Sequence, residues 1–548
     1  MKAKTLLVTW FLAIHAMAED VSVAANPQVT VLEGSVVRGI AVIEATENPS
    51  SVVRKEGVQV ELGKTRPASL RAALAPYIGK PINAEVLSEI KEVIHVSFFR
   101  DKGSYVVILF PEQDISDGIL VLQILEGTVG KVSYRGLKWM PESVLETKLN
   151  LCPGDRVNEQ ALLNKLAMLN RNPFWGTSLI YSPGQRKGTI DLEFVSEDRF
   201  QLRPFAGADN TGFRDNNQNR LFAGFNWGNA LDRGDLFTYQ YTAAPGFHRF
   251  QSHVADYTCF LSWQHILEVY GCYAHTIPAL PGLSVTGKNA QASLRYQIFR
   301  KPFYTADFSS YWEGGLDYKW QNSNLFFSGT PQQEVASATS LTITQVEIGY
   351  GLRTMLEENN VNFKGQIFIS PWQGLFPHQS TTAFENARPH SHPRYAYFRF
   401  ALGDQWEFFK DWTLSSLFRA QVATGTLPPS EQFALGGFDT VRGYFEQQFL
   451  ADDMICINEE LYFPMLHPFS TWKDQQLVFL AFLDWGYGYN YSSISSQFKR
   501  QNLLGIGPGF RYDILPYFHC RGDYGFQLTS IPGGSLFGRF HFSLIADY

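Results

Sequence analysis

The sequence lacks any apolar run long enough to cross a membrane as a helix. Beyond its N-terminus no stretch reaches 18 apolar residues, whereas a spanning helix needs about 20 to cross a hydrocarbon core of about 30 Å. A mature chain that lies in a membrane must therefore form a closed β-barrel, because an open sheet edge cannot be left in lipid. Charge is also scarce, at 18% of residues with a net value of -6, which gives no electrostatic reason to expect nucleic acid.

Motifs of enzymes are missing as well. The chain contains no G-x-S-x-G, no HExxH and no GxxxxGK[ST], so no catalytic set, cofactor or ATP site is predicted. His390 and His392 in "PHSHP" are interpreted as a solvated loop, with a metal site as the alternative. The prediction is a protein that is not an enzyme and binds no metal.

Cysteine is rare and forms no CxxC pair, which argues against zinc and thioredoxin-like sites. The five cysteines are Cys152, Cys259, Cys272, Cys456 and Cys520. Cys259 and Cys272 lie on either side of "WQHI", where a tight hairpin would place them opposite each other. A disulfide there is one hypothesis for an oxidising compartment, and unpaired apolar cysteines are the alternative.

The N-terminus has the features of a secretory signal peptide. Lys2 and Lys4 precede a short apolar core, and Ala16-Met17-Ala18 forms an A-x-A cleavage site. We therefore expect residues 1–18 to be removed. Residues 19–35 read as a linker without a convincing amphipathic helix.

The segment from 36 to 198 mixes strand and helix patterns. "VVRGIAVIEA" reads as a strand, and "NAEVLSEIKEVIHVSFF" places Leu87, Ile90, Val93 and Ile94 on one helix face. The order β-α-α-β-β ends in "SYVVILFP" and "GILVLQILEG", then recurs after about 80 residues, which marks an internal repeat. We expect one domain over 36–127 and a second over 128–198.

From about Arg199 the pattern changes to strands with alternating faces. "VNFKGQIFIS" places Ile367 and Ile369 on one side, and "VEIGYGLRTML" opposes Ile348 to Glu347. The apolar face is strongly aromatic and the other often holds glycine or charge, as in outer-membrane barrels. Residues 199–548, at roughly 20 per strand with its connection, predict a transmembrane antiparallel barrel of about 16 strands. The last strand ends on Tyr548, an aromatic of the type that would be read by a barrel-assembly machinery.

The block "LPPSEQFALGGFDTVRGYFEQQFLADDMICINEELYFP" carries a family resemblance. Its ordered matches, including Glu431-Gln432 and Glu460-Leu461, centre on "VRGY", which comprises Val441, Arg442, Gly443 and Tyr444. They resemble the signature of the two-partner secretion transporters (the haemolysin secretion/activation protein family), a branch of the outer-membrane protein 85 superfamily. The two β-α-α-β-β units are similar to its polypeptide-transport-associated (POTRA) domains.

A second motif of that family, F-x-D-x-G, matches Phe482, Asp484 and Gly486 in "FLDWG". Strand parity places these three on one face and Leu483 on the other. A lone aspartate facing lipid would be costly, so Asp484 should face the lumen. The resemblance implies that a loop over about 427–453 folds back into the pore and that Arg442 contacts Asp484. Because a lumen is partly screened, we expect a pair of modest strength.

The following strand, "LGIGPGFRYD", places Gly505, Gly507, Gly509 and Arg511 on one face. Three glycines in a row leave space for another backbone. We predict that this space receives the loop, and strand bending at the glycines is the alternative. "ADDMI" keeps Asp452 but departs from the family's usual glycine-aspartate-x-glycine run, so the local turn is expected to differ.

The resemblance implies a transporter in the outer membrane, surrounded by its lipid, with the POTRA domains in the periplasm. It would bind a large secreted partner protein there and pass it through the barrel. Alternatives are an insertase of the same superfamily, which typically has more POTRA repeats, and a passive porin, which would leave the repeats unexplained.

Overall fold

The computed structural model describes most of the chain between residues 35 and 547. The described ranges are 35–45, 49, 52–62, 67–102, 105–213, 216–262, 264–280, 283–300, 308–327, 335–354, 359–409, 411–468, 474–492, 498–531 and 538–547. The expected signal peptide, all but the last residue of the expected linker, and Tyr548 lie outside these residues. Within them, no helix is both long and apolar enough to cross a membrane.

The chain divides into two compact units. The first comprises the described residues up to Asn170 together with Trp175–Asp198, and the second comprises Arg171–Phe174 together with residues from Arg199 onwards.

The first unit begins with a four-stranded sheet covered by two helices. The elements are β1 (Gly39–Glu44), β2 (Gly57–Glu61), α1 (Pro67–Leu74), α2 (Ala84–Lys102), β3 (Val106–Leu109) and β4 (Ile119–Glu126). Strand order is β2-β1-β4-β3, with β1 parallel to β2 and β4, and β3 antiparallel to β4. The expected β-α-α-β-β order is present, with an additional edge strand β2 that the sequence pattern missed.

The helical spacing in α2 explains its position. Val86, Ile90, Ile94 and Phe98 recur every four residues and are buried, so they form one stripe against the sheet. Leu87 and Val93 are only partly buried at the edge of this stripe.

The second half of this unit repeats the plan with a three-stranded sheet. The elements are β5 (Thr128–Arg135), α3 (Glu142–Leu149), α4 (Glu159–Leu169), β6 (Trp175–Pro183) and β7 (Thr189–Asp198). Strand order is β5-β7-β6, with β5 and β7 parallel and β6 antiparallel to β7. Asn158 caps α4 by accepting a hydrogen bond from the Ala161 N–H.

The second unit is a closed antiparallel β-barrel of 16 strands, which confirms the predicted fold class and number. Its strands, together with a two-residue extension β13, are β8 (Leu202–Asp209), β9 (Arg220–Ala230), β10 (Asp235–Ala243), β11 (Phe250–Phe260), β12 (His265–Thr276), β13 (Ala279–Leu280), β14 (Leu283–Phe299), β15 (Phe308–Phe327), β16 (Val335–Thr354), β17 (Asn359–Ser370), β18 (Tyr395–Phe409), β19 (Trp412–Ala423), β22 (Asp453–Tyr462), β23 (Gln475–Tyr489), β24 (Arg500–Ile514), β25 (Phe518–Gln527) and β26 (Gly538–Asp547). The last strand, β26, closes the barrel on the first, β8. The short β13 only extends the ladder on β14.

Two loops of this unit carry their own elements. A helix, α5 (Thr381–Ala387), lies between β17 and β18, and two short strands, β20 (Phe433–Leu435) and β21 (Phe449–Ala451), pair with each other between β19 and β22.

Alternation along the strands separates the outside of the barrel from its lumen. Ile348 is 50% exposed while its neighbour Glu347 is buried, and Ile367 and Ile369 are also exposed. The apolar residues therefore form the outer face, as expected for a barrel in lipid.

The disulfide hypothesis is wrong, because the five cysteines all lie in the described part of the chain and form no disulfide. The hairpin of β11 and β12 pairs Cys259 with Leu267 and Cys272 with Val254. The hairpin turn lies closer in sequence to Cys259 than to Cys272. The two cysteines are therefore offset along the pair of strands and do not face each other.

Candidate functional site

The segment 427–452, here called the inward loop, lies inside the barrel. Its base contacts lumen-facing residues of β15, β16 and β18, whereas its tip contacts β22, β23, β25 and β26. These two groups of strands lie on different sides of the closed barrel. The loop therefore crosses the lumen from one wall to the other.

Arg442 lies near the tip of the inward loop and is 2% exposed. Its Nε and Nη2 donate to Oδ2 and Oδ1 of Asp484 at 2.7 and 2.8 Å. Its backbone N–H donates to Oδ2 of the same carboxylate at 3.0 Å. The planar guanidinium thus binds the carboxylate through two parallel bonds, which lysine could not reproduce.

The other two residues of the F-x-D-x-G motif also contact the loop. The ring of Phe482 lies beneath the guanidinium of Arg442, with 3.6 Å between the guanidinium carbon and the ring centroid. A Cβ on Gly486 would come within 2.9 Å of Val441. The phenylalanine therefore stacks on Arg442 and the aspartate pairs with it, while the glycine makes room for Val441.

The arginine–aspartate pair belongs to a larger charged network. Arg442 also donates to Glu460 at 2.5 Å, and its Nη1 lies 3.6 Å from Asp523. Arg511 bonds Asp523 at 2.7 Å and lies 3.4 Å from Glu460, and Arg521 bonds Asp523 at 2.8 Å.

Three arginines thus face three carboxylates, and the exposed Asp439 lies 4.0 Å from Arg521 at the edge of this network. Asp484 and Asp523 are both buried. The pair itself is less screened than expected, because Arg442 and Asp484 are both buried. The edge of the network still meets solvent, since Glu460, Arg511 and Arg521 keep 17%, 18% and 27% of their side chains exposed. Burial raises the cost of losing any one partner, since the charge that remains would be uncompensated.

The glycine face of β24 serves the site in two ways. A Cβ on Gly505 would collide with the carbonyl oxygen of Arg442, so this glycine does make room for the loop. At Gly507 and Gly509 a Cβ would instead meet Tyr524 and Asp523 of the neighbouring strand β25. The prediction that all three glycines receive the loop thus holds for Gly505 alone, and Gly509 leaves space for a carboxylate of the network.

The end of the "VRGY" motif is fixed by backbone geometry and one hydroxyl. Gly443 has φ +96°, a conformation that side chains rarely adopt, and its N–H donates to Nε2 of His541 at 3.1 Å. The buried Tyr444 hydroxyl donates to the Thr529 carbonyl at 2.7 Å. These contacts hold the tip independently of the charged network.

The base of the inward loop has a second charged anchor at Glu431, which is fully buried. Lys319 donates to its two carboxylate oxygens at 2.9 and 3.0 Å, Tyr397 donates at 2.7 Å and Gln345 at 3.2 Å. The loop is therefore fastened by charge at its base as well as at its tip.

Sequence reasoning placed Glu431 and Glu460 in a motif without assigning contacts to them, and it missed Asp523 and Arg521. Strand parity on β25 offered a signal, since Arg521, Asp523 and Gly525 alternate onto one face. The pairing of these residues with the loop depends on how the barrel closes, which parity does not reveal.

The histidines of "PHSHP" lie in the loop that contains α5. The backbone N–H of His390 donates to the Glu385 carboxylate at 2.9 Å. Among the described residues, no group of three or more histidine, cysteine, aspartate or glutamate side chains is arranged to hold a metal ion.

Comparisons with known proteins identify the family. The model of the haemolysin secretion/activation protein ShlB/FhaC/HecB matches residues 188–512. The heme/hemopexin transporter protein HuxB of Haemophilus influenzae (strain 86-028NP) is 21% identical over 454 residues, which cover 80% of this chain and 77% of HuxB. The outer membrane transporter CdiB of Escherichia coli O6:K15:H31 (strain 536 / UPEC) is 22% identical over 192 residues, covering 35% of this chain and 32% of CdiB.

A solved structure of CdiB from Escherichia coli has the same fold. It superposes with a TM-score of 0.73 at 14% sequence identity and covers 100% of this chain and 97% of CdiB. The matched family model covers more than half of the 548 residues. The chain is thus an outer-membrane β-barrel protein that belongs to the haemolysin secretion/activation protein family.

Proposed function

We propose that this protein takes a large secreted partner protein from the periplasm and passes it outward through the barrel. The observation that carries the proposal is the inward loop, which crosses the lumen and is fastened by buried charge at Glu431 and Arg442. A loop held in the lumen by side-chain contacts, rather than by pairing into the barrel ladder, is a closure that can be displaced. The family membership supports transport of a protein over the passive porin and insertase alternatives.

The partner would be recognised by the N-terminal unit. We assign POTRA domains to 36–127 and 128–198, and the barrel to 199–548. Each small sheet has open edges, at β2 and β3 in the first and at β5 and β6 in the second. An extended segment of the partner can add to such an edge through main-chain hydrogen bonds, a mode that depends little on side-chain identity.

In this proposal the residues of the site position the loop and perform no chemistry. Val441, Arg442, Gly443 and Tyr444 form the tip, while Phe482, Asp484, Gly486, Gly505 and Arg511 form the wall that receives it. The sequence has no ATP-binding motif, so we assign the direction of transport to folding of the partner outside the cell.

Photo-crosslinking tests the recognition step. A crosslinking amino acid at Val107 on β3 or at Ser182 on β6 should capture the secreted partner protein while it is in transit. The matched control is Glu142, an exposed position on helix α3 away from the sheet edges. Capture at Glu142 to the same extent, or only at barrel positions, would contradict recognition by strand addition.

Deletion of the protein tests transport itself. Cells that lack the chain should retain the partner in the periplasm, and cells that carry it should release the partner. Equal release from both would refute the proposed function.

A further inference from the structure

A second buried arginine–carboxylate pair joins two loops of the barrel. Arg388 follows helix α5 in the segment 371–394, here called the second loop, and is 8% exposed. Its Nη1 and Nη2 donate to Oδ1 and Oδ2 of Asp452 at 2.5 and 2.9 Å. Asp452 is fully buried and ends the inward loop. The pair is bidentate, as at Arg442, but it connects loop to loop instead of loop to wall.

The same guanidinium reaches two further segments. Nη1 donates to the Leu427 carbonyl at 2.7 Å, at the start of the inward loop. Nη2 donates to Asn490 Oδ1 at 3.1 Å and to the Ser492 carbonyl at 3.3 Å, beyond the end of β23. One side chain therefore holds both ends of the inward loop, the second loop and the connection after β23.

Apolar packing fixes the second loop against the same place. Phe384 of α5 is fully buried with residues from the barrel wall and with Leu427 of the inward loop. The wall residues of this cluster are Leu341, Ile343, Phe368, Tyr395, Tyr397 and Ala423. Because Leu427 lies in this cluster and also bonds Arg388, displacement of the inward loop at its base would disturb the second loop.

We propose that Arg388 is a positioning residue that latches the second loop to the inward loop while the lumen is closed, and that the two loops must separate at this contact when the partner passes. The proposal rests on the transport function proposed above. It differs from the Arg442–Asp484 contact, because this latch joins one loop to another, whereas Arg442 holds the tip of the inward loop against the barrel wall.

The hydrogen bonds of Asp452 suit a latch that opens. Its carboxylate also accepts from the backbone N–H groups of Leu427 at 3.0 Å and Tyr491 at 3.1 Å. When Arg388 leaves, two donors remain on the buried carboxylate, so the desolvation cost of separation is reduced.

The first test uses two variants, Arg388→Ala and the neutral double variant Arg388→Ala/Asp452→Asn. The double variant leaves no unpaired buried charge, so it tests the latch even if Arg388→Ala fails to fold. Ala383→Cys on α5 reports release of the second loop, because Ala383 packs partly buried beside Phe384. A membrane-impermeant maleimide on intact cells should label this introduced cysteine at least tenfold faster in both variants. Because the chain has other cysteine thiols, the labelling of each variant without the Ala383→Cys change is measured as background and subtracted.

Arg394→Ala is the matched control, because Arg394 is an exposed arginine of the same loop. It should leave labelling of the introduced cysteine unchanged. Unchanged labelling in the folded double variant would overturn the latch.

The second test replaces the latch by a covalent one. Arg388→Cys/Asp452→Cys, bridged by a cleavable bifunctional maleimide, should lose secretion of the partner and regain it on cleavage. Secretion through the bridged protein would show that the loops need not separate, which overturns this inference but leaves transport standing. Failure of the unbridged wild type to secrete would instead refute the proposed function.

Discussion

Replacement of Arg442 by alanine is expected to weaken docking of the inward loop and leave the barrel intact. The guanidinium makes two hydrogen bonds to Asp484 and one to Glu460 inside the lumen. It takes no part in strand pairing or in the lipid-facing band, which stabilise the barrel. The change should therefore act on the equilibrium between a docked and an undocked loop.

The size of the effect follows from burial. Removal of one partner from a buried ion pair costs about 3–5 kcal/mol, because the remaining charge is uncompensated. At about 1.4 kcal/mol per factor of ten, the docked-to-undocked ratio should fall by roughly 100-fold to 4,000-fold. The lower end is favoured, since Asp484 keeps hydrogen bonds from the Arg442 backbone and from Asn458. Arg442→Lys should resemble alanine more than the wild type, because a point charge cannot make the bidentate contact.

The assay is the rate at which a cysteine in place of Thr440 reacts with a maleimide. Thr440 is 9% exposed, and among the described residues its hydroxyl has no hydrogen-bond partner, so the substitution removes no hydrogen bond. If labelling requires an undocked loop, its rate should rise in proportion to the undocked fraction. The resistance of the folded barrel to heat in gel electrophoresis should stay the same.

Arg353→Ala provides the control, since Arg353 is an exposed arginine at the end of β16. The reasoning is refuted if the cysteine introduced by Thr440→Cys reacts equally fast with and without Arg442. Loss of the heat-resistant band in Arg442→Ala would show instead that the pair holds the barrel.

Four further outcomes are expected. Gly505→Ala should weaken loop docking by about 1–3 kcal/mol, because the new Cβ collides with the Arg442 carbonyl. The cysteine that replaces Thr440 should then be labelled faster, whereas Gly314→Ala, at a position that faces open space, should leave the labelling rate unchanged. Glu431→Gln should weaken the base of the loop by leaving Lys319 without its carboxylate, and reduced secretion with a normal heat-resistant band would bear this out. Arg442→Asp combined with Asp484→Arg should restore secretion only in part, because the new carboxylate would join Glu460 and Asp523. Residues 36–198 expressed alone should be soluble, with circular dichroism of mixed helix and strand, and an insoluble product would contradict the domain limits.

Much of the fold could be predicted because it depends on periodicity, which is local. The change from helical to alternating spacing near Arg199 indicated two kinds of unit, and alternation with aromatic residues on one face indicated a barrel in lipid. The same parity sent Asp484 to the lumen, since only one face of a membrane strand can hold a charge. Strand β2 was missed because "GVQVE" is short and begins with glycine, with too few residues to show a period.

The contacts of the site depended on the tertiary structure, because they join residues from distant strands. Asp523 and Glu460 meet Arg442 only once β22 and β25 close into one wall, and Gly505 meets its carbonyl for the same reason. Arg388 and Asp452, which form the latch, are 64 positions apart in the sequence, and Arg388 lies in a segment without a recognisable pattern. The sequence by itself therefore determined which face each strand presents to the lumen. Which of those lumen residues bind one another was decided by the closure of the barrel, which joined the expected pair to four further charges from other strands.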